Sequence, residues 1–149
     1  RQGFMGATNV VNYLTNHDHD RLMVEFGNRN IFDAEAFKRA KLGAVILMTA
    51  VGVPMLWMGQ AMGEYKPKTP DPAKIDWTLL ENDLNKGLLE YYKGLIHLRK
   101  NNHALYTANI DFFHEDPDSK VIAYTRWNDE GSRVVVVANF SDNYLAGYT

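Results

Sequence analysis

The sequence predicts an α/β unit that gives way to an all-β unit. Three observations carry this. Short, almost continuously apolar runs at residues 10–14 and 53–59 alternate with helical patterns at 34–51 and 84–100. Beyond residue 108 the helical period disappears, and strand-like runs follow at 110–114, 121–127 and 133–140. The turn-forming stretches EDPDS, with Pro117, and NDEGS, with Gly131, separate them as in an antiparallel meander. We set the boundary so that residues 1–105 form the first unit and 106–149 the second.

Each element has a local reason. Residues 10–14 and 53–59 are short and apolar, as expected of strands covered on both faces of a parallel sheet. Asp33 offers an N-cap to the helix at 34–51, and Gly52 stops it. In the helix at 84–100, Leu84, Leu88, Tyr91, Leu95 and Leu98 recur at steps of four and three and predict one buried face. The irregular stretch after Gln60 is long enough to suggest a functional loop. Two β/α units do not close an eight-stranded barrel, so we expect a piece of a longer chain, with Arg1 and Thr149 falling at cut rather than capped ends.

Bulk properties narrow the function. The chain has 149 residues, 46% hydrophobic and 23% charged, with a formal net charge of −2, which argues against a nucleic-acid partner. It contains no cysteine, so thiolate chemistry is excluded. The longest apolar run, residues 44–58, is interrupted by Thr49, Gly52 and Pro54 and predicts no membrane span.

The densest chemistry lies in NHDHD, Asn16 to Asp20, at the C-terminal end of the first predicted strand, where parallel-sheet folds place their sites. The second strand ends in Trp57 and Gln60, so one polar and aromatic face is expected, suited to a sugar. Carboxylates and imidazoles bind hydroxyl pairs, and an aromatic ring covers the apolar face of a pyranose. Two other readings stand beside this one. His17, Asp18 and His19 have residue types that ligate zinc and would serve a metal-dependent hydrolase. Alternatively, Asn16, Asp18 and Asp20 only cap a turn, with Asp20 and Arg21 starting a short helix through Glu25.

Six segments in order resemble the α-amylase superfamily, glycoside hydrolase family 13. TNHDHDR is similar to its last active-site motif, and GVPMLWMGQAMGE to the segment on its last barrel strand. KIDW resembles the following loop, and YYKGLIHLRKNNHAL the final barrel helix. VIAYTRW and VVVVANFS resemble the opening strands of its C-terminal β-sandwich. The resemblance implies the C-terminal part of a TIM (β/α)8 barrel followed by part of an antiparallel β-sandwich. It also implies a retaining enzyme acting on α-glucans or maltooligosaccharides.

Carried over by position, Asp18 is the acid that binds sugar hydroxyls and stabilises the transition state, and His17 and Asn16 contact or hold the same sugar. Gln60 lies at the substrate rim, and Trp57, where the family more often has tyrosine, either stacks on the sugar or serves as a barrel-core aromatic. The family's nucleophile and general acid belong to earlier strands, so this chain alone is expected to be inactive. A non-catalytic carbohydrate-binding or scaffold relative is the alternative. No metal ligand or cofactor is assigned, calcium remaining possible in the full-length protein. Unpartnered strands predict that the isolated chain oligomerises or aggregates.

Overall fold

The computed structural model describes residue 6 and residues 9–149; the remainder of the first predicted unit, residues 1–5 and 7–8, lies outside the described residues. The first half contains β1 (Val11–Asn12), α1 (Leu22–Gly27), α2 (Asp33–Thr49), β2 (Val53–Pro54) and α3 (Asp83–Lys100). Short 3-10 turns at Gln60–Met62, Trp77–Glu81 and His103–Leu105 link these elements and lead out of them. The second half is β3 (Ile110–Asp116), β4 (Val121–Trp127) and β5 (Arg133–Asn139).

β1 and β2 pair in parallel, Val11 opposite Val53 and Asn12 opposite Pro54. Strands were expected over 10–14 and 53–59, but the ladder is shorter. Val53 and Met55 donate to the Val10 and Asn12 carbonyls at 2.8 Å each, and the chains then part into loops. These strands were also expected to be covered on both faces. Val11 and Val53 instead remain 54% and 43% exposed.

The helices form where expected, with two corrections. Asp33 is not the cap of α2. It stands as the first helical residue, Phe32 holds the extended cap position, and no side chain caps the end. Asp33 and Glu35 occupy the first turn, where a carboxylate complements the helix dipole.

On α3, Asn82 caps the start by accepting from the Leu84 amide at 2.9 Å. Its inner stripe is Asn85, Leu88, Tyr92, Leu95 and Arg99, not Leu84, Leu88, Tyr91, Leu95 and Leu98. Leu84, Tyr91 and Leu98 are exposed, whereas Asn85, Leu88 and Tyr92 are buried. Three polar side chains turn the helix this way because each has a partner inside. Asn85 donates to the Met62 carbonyl at 2.7 Å. Tyr92 meets Gln60. Arg99 donates to the carbonyls of Met48, Ala50 and Gly52. The core is the packing of Ala40, Ala44, Leu47 and Met48 on α2 against Leu88 and Tyr92 on α3.

β3, β4 and β5 form an antiparallel sheet in that order, with a bulge at Phe113 between the Phe112 and His114 pairings. Tyr124, Arg126, Val136 and Ala138 are buried along the face that meets the helices. Val135 and Val137 point the other way and are 58% and 68% exposed. The seam between the halves is polar. Arg126, fully buried, donates to the carbonyls of Thr49, Leu105, Thr107 and Asn109. Thr49 Oγ1 donates back to the Val45 carbonyl at 2.6 Å, which leaves the Tyr124 hydroxyl to donate to it, also at 2.6 Å.

Candidate functional site

The Asn16–Asp20 segment leaves β1 as a tight turn organised by Asn16. This side chain is 7% exposed, and its Oδ1 accepts from the Asp18 amide at 2.9 Å and lies 2.8 Å from His19 Nδ1. Such local side-chain bonds are what asparagine offers a turn. Their effect is to turn His17 and Asp18 outward, with side chains 73% and 66% exposed and 3.5 Å apart. The Trp57 ring stands 6.0 Å from His17, tilted by 47°. An acid, an imidazole and an indole thus share one rim.

Beneath them, Thr15 donates to Gln60 Oε1 at 3.0 Å, and Gln60 Nε2 donates to the Tyr92 hydroxyl at 2.8 Å. Burial of Tyr92 raises the pKa of its phenol, so it stays neutral and able to accept. Gln60 is only 7% exposed, and both ends of its amide are occupied. It therefore braces β1 against β2 and α3 from below. Arg21 adds a second tie by donating to the Met58 carbonyl.

The loop after β2 arches back over the turn. Lys68 donates its amide to Asp20 Oδ1 at 2.7 Å and its Nζ to the Asp18 carbonyl at 2.9 Å. Asp20 thus holds the loop and does not cap α1, whose cap position is Arg21. A cavity of about 250 Å³ lies between turn and loop. Asn16, His17, His19 and Trp57 line one side, and Lys68, Thr69 and Asp71 are among the residues lining the other. Asp18 and Gln60 are not among its lining residues; Asp18 stands outside beside His17.

The base of the loop is fixed by Glu64, which is 1% exposed. Its carboxylate accepts from the amides of Tyr65, Lys66 and Asp76 at 3.0, 3.1 and 2.8 Å. Gly59, at φ +81°, lets Glu64 approach, since a Cβ there would sit 2.6 Å from Glu64 Cβ. Glu64 and Lys68 are the residues that sequence reasoning passed over. The only hint of Glu64 was an acid ending an otherwise apolar GQAMGE. Among the described residues, no three His, Asp or Glu side chains converge as a metal site, so nothing in the geometry favours the zinc reading.

Residues 113–149 match the family model of the alpha amylase C-terminal all-beta domain. Along most of its length the chain is similar to enzymes of the α-amylase superfamily. It is 28% identical over 134 residues to neopullulanase 2 of Thermoactinomyces vulgaris, covering 89% of the chain and 21% of that relative. It is 29% identical over 151 residues to the 1,4-alpha-glucan branching enzyme of Nitrosomonas europaea, covering 92% and 20%. Among solved structures it superposes on the pullulanase of Anoxybacillus sp. LM18-11, complexed with maltotetraose. The TM-score is 0.75 at 26% identity, covering 91% of the chain and 22% of the pullulanase. The chain therefore spans about a fifth of the length of the curated relatives it matches.

Proposed function

We propose that this chain supplies the last part of the active site of a retaining α-glucan hydrolase or transglycosidase, with Asp18 as its substrate-binding, transition-state-stabilising acid. The observation that carries the reading is the rim itself. Asn16 turns Asp18 and His17 outward side by side, with Trp57 6.0 Å from the imidazole. A carboxylate and an imidazole 3.5 Å apart suit two neighbouring hydroxyls of one sugar, and the indole suits its apolar face. Asn16 and Gln60 act from below, the first by shaping the turn and the second by fixing the two strand ends together.

In retaining glycosidases one carboxylate attacks the anomeric carbon and a second carboxylic acid protonates the leaving oxygen. We assign neither role to this chain. Asp20 is engaged by the loop, and Glu64 is buried under three amides. Asp18 contributes by hydrogen bonds to sugar hydroxyls that strengthen as charge develops on the ring. The names of the relatives support an α-glucan substrate. The parallel pair is read as the last two strands of the barrel, consistent with the exposure of Val11 and Val53 on faces that further strands would cover. By the same logic Val135 and Val137 await the facing sheet of a sandwich.

The test is Asp18→Asn in the longer protein that contains this chain, assayed on maltoheptaose. Turnover should fall roughly a thousandfold with the melting temperature little changed. Near-normal turnover removes Asp18 from the mechanism. The 149 residues alone should show no turnover on the same substrate.

A further inference from the structure

We infer that Lys68 is a positioning residue for Asp18, and that Glu64 is the clasp that keeps Lys68 in place. This rests on the reading of Asp18 as the substrate-binding acid.

The turn carrying Asp18 has little support of its own. Its two outward side chains are mostly solvated, and from within the turn only the Asn16 side chain holds the Asp18 amide. The other side of the same residue is held from outside, by Lys68 Nζ on the Asp18 carbonyl at 2.9 Å. The Lys68 amide holds Asp20 at 2.7 Å, so one loop residue grips the turn on both sides of His19. A donor on the Asp18 carbonyl fixes the peptide plane from which the side chain departs, and hence where its carboxylate meets a sugar.

Lys68 works this way only if its loop is rigid, and the loop is built to be so. Glu64 closes the neck by accepting the Asp76 amide twelve residues on, while its other oxygen holds Tyr65 and Lys66. Lys66 Nζ adds a second strap by donating to the Lys74 carbonyl at 2.7 Å. Pro67, Pro70 and Pro72 remove freedom from the span between. With no exposed side-chain surface, the Glu64 carboxylate is shielded from water that would compete for the three amides.

The experiment uses the longer protein, with maltoheptaose as substrate. Lys68→Met should lower kcat about tenfold with little change in KM, since a displaced acid costs the transition state more than the ground state. Lys68→Arg, which keeps a donor at the tip, should restore most of the loss. Glu64→Gln puts an amide N–H against at least one backbone N–H. It should reproduce the kcat loss and open the loop to trypsin after Lys68 and Lys74, Lys66 being protected by Pro67. A full kcat in Lys68→Met, or a loss that Lys68→Arg does not rescue, overturns the inference while a collapsed Asp18→Asn leaves the functional reading intact. Normal turnover in Asp18→Asn overturns both.

Discussion

The two β systems of this chain are held in different ways. β3–β4–β5 is a sheet of seven-residue strands with a continuous register between β4 and β5, so the ladder itself fixes every residue. β1 and β2 share a ladder of two residues, too short to fix anything. What aligns them is side chains. Asn12 reaches the Val51 carbonyl, Arg99 gathers the Met48, Ala50 and Gly52 carbonyls, and Gln60 spans Thr15 and Tyr92. The candidate site sits on this second kind of structure. Where a ladder is long, single exposed side chains are dispensable; where it is short, positional precision rests on a few polar groups, each open to removal by one substitution.

The sharpest way to break this comparison is at the seam, where side chains do the same work between the halves. Arg126→Leu keeps bulk but strands the carbonyls of Thr49, Leu105, Thr107 and Asn109 in a buried place. At about 1–3 kcal/mol for each buried group left without a partner, the protein should lose about 3 kcal/mol or more of unfolding free energy in urea. Val135→Thr, on the exposed face of the neighbouring ladder, should change it by less than about 0.5 kcal/mol. Similar losses for the two variants would mean that the ladder, not the guanidinium, carries the seam.

This division also explains what was legible in the sequence. The helices and meander strands were read almost to the residue, because periodicity and turn chemistry are local. NHDHD stood out as a candidate site because a polar cluster behind a short apolar strand is also a local signal. The inner face of α3 was misread because Asn85 and Arg99 face inward toward partners on Met62 and on the end of α2, which no hydropathy pattern records. Gln60 was expected at the rim and lies beneath it, because its two partners come from 45 and 32 residues away. Glu64 and Lys68 carried no site motif for the same reason: their contacts run across the fold.

A finer test of the seam is the pair Thr49 and Tyr124. Thr49 Oγ1 commits its proton to Val45, so the Tyr124 hydroxyl must be the donor between them. Burial raises the Tyr124 pKa and keeps that proton in place at neutral pH. Tyr124→Phe and Thr49→Val should each cost about 1 kcal/mol. A double-mutant cycle should return a coupling of about 0.5 kcal/mol or more, since the two groups satisfy each other. Strict additivity would show that the seam depends on Arg126 alone.

The smallest effect is expected at the outer edge of the ladder, where a polar contact adds to a strand already fixed. Asp116 ends β3, and its Oδ1 accepts the Ser119 amide at 3.0 Å across the EDPDS turn. Its Oδ2 accepts the Tyr148 hydroxyl at 2.9 Å. Hydrogen bonds from Ser119 first, and then from Tyr148, lower the Asp116 pKa below the ordinary carboxylate value. A carboxyl whose folded pKa lies below its unfolded one adds stability that is fully present above the unfolded value. That stability drains away as pH falls through the folded pKa, which puts the window below about pH 4. A carbon-detected NMR titration should find the Asp116 midpoint below that of an unperturbed aspartate. Tyr148→Phe should raise it only part of the way back, because Ser119 still donates. The carboxylate is only partly buried and solvent-screened, so neutral-pH stability should barely move. If Tyr148→Phe instead erased the whole shift, or melted the sheet, this edge would depend on side chains as the β1–β2 pair does, and the contrast between the two systems would be lost.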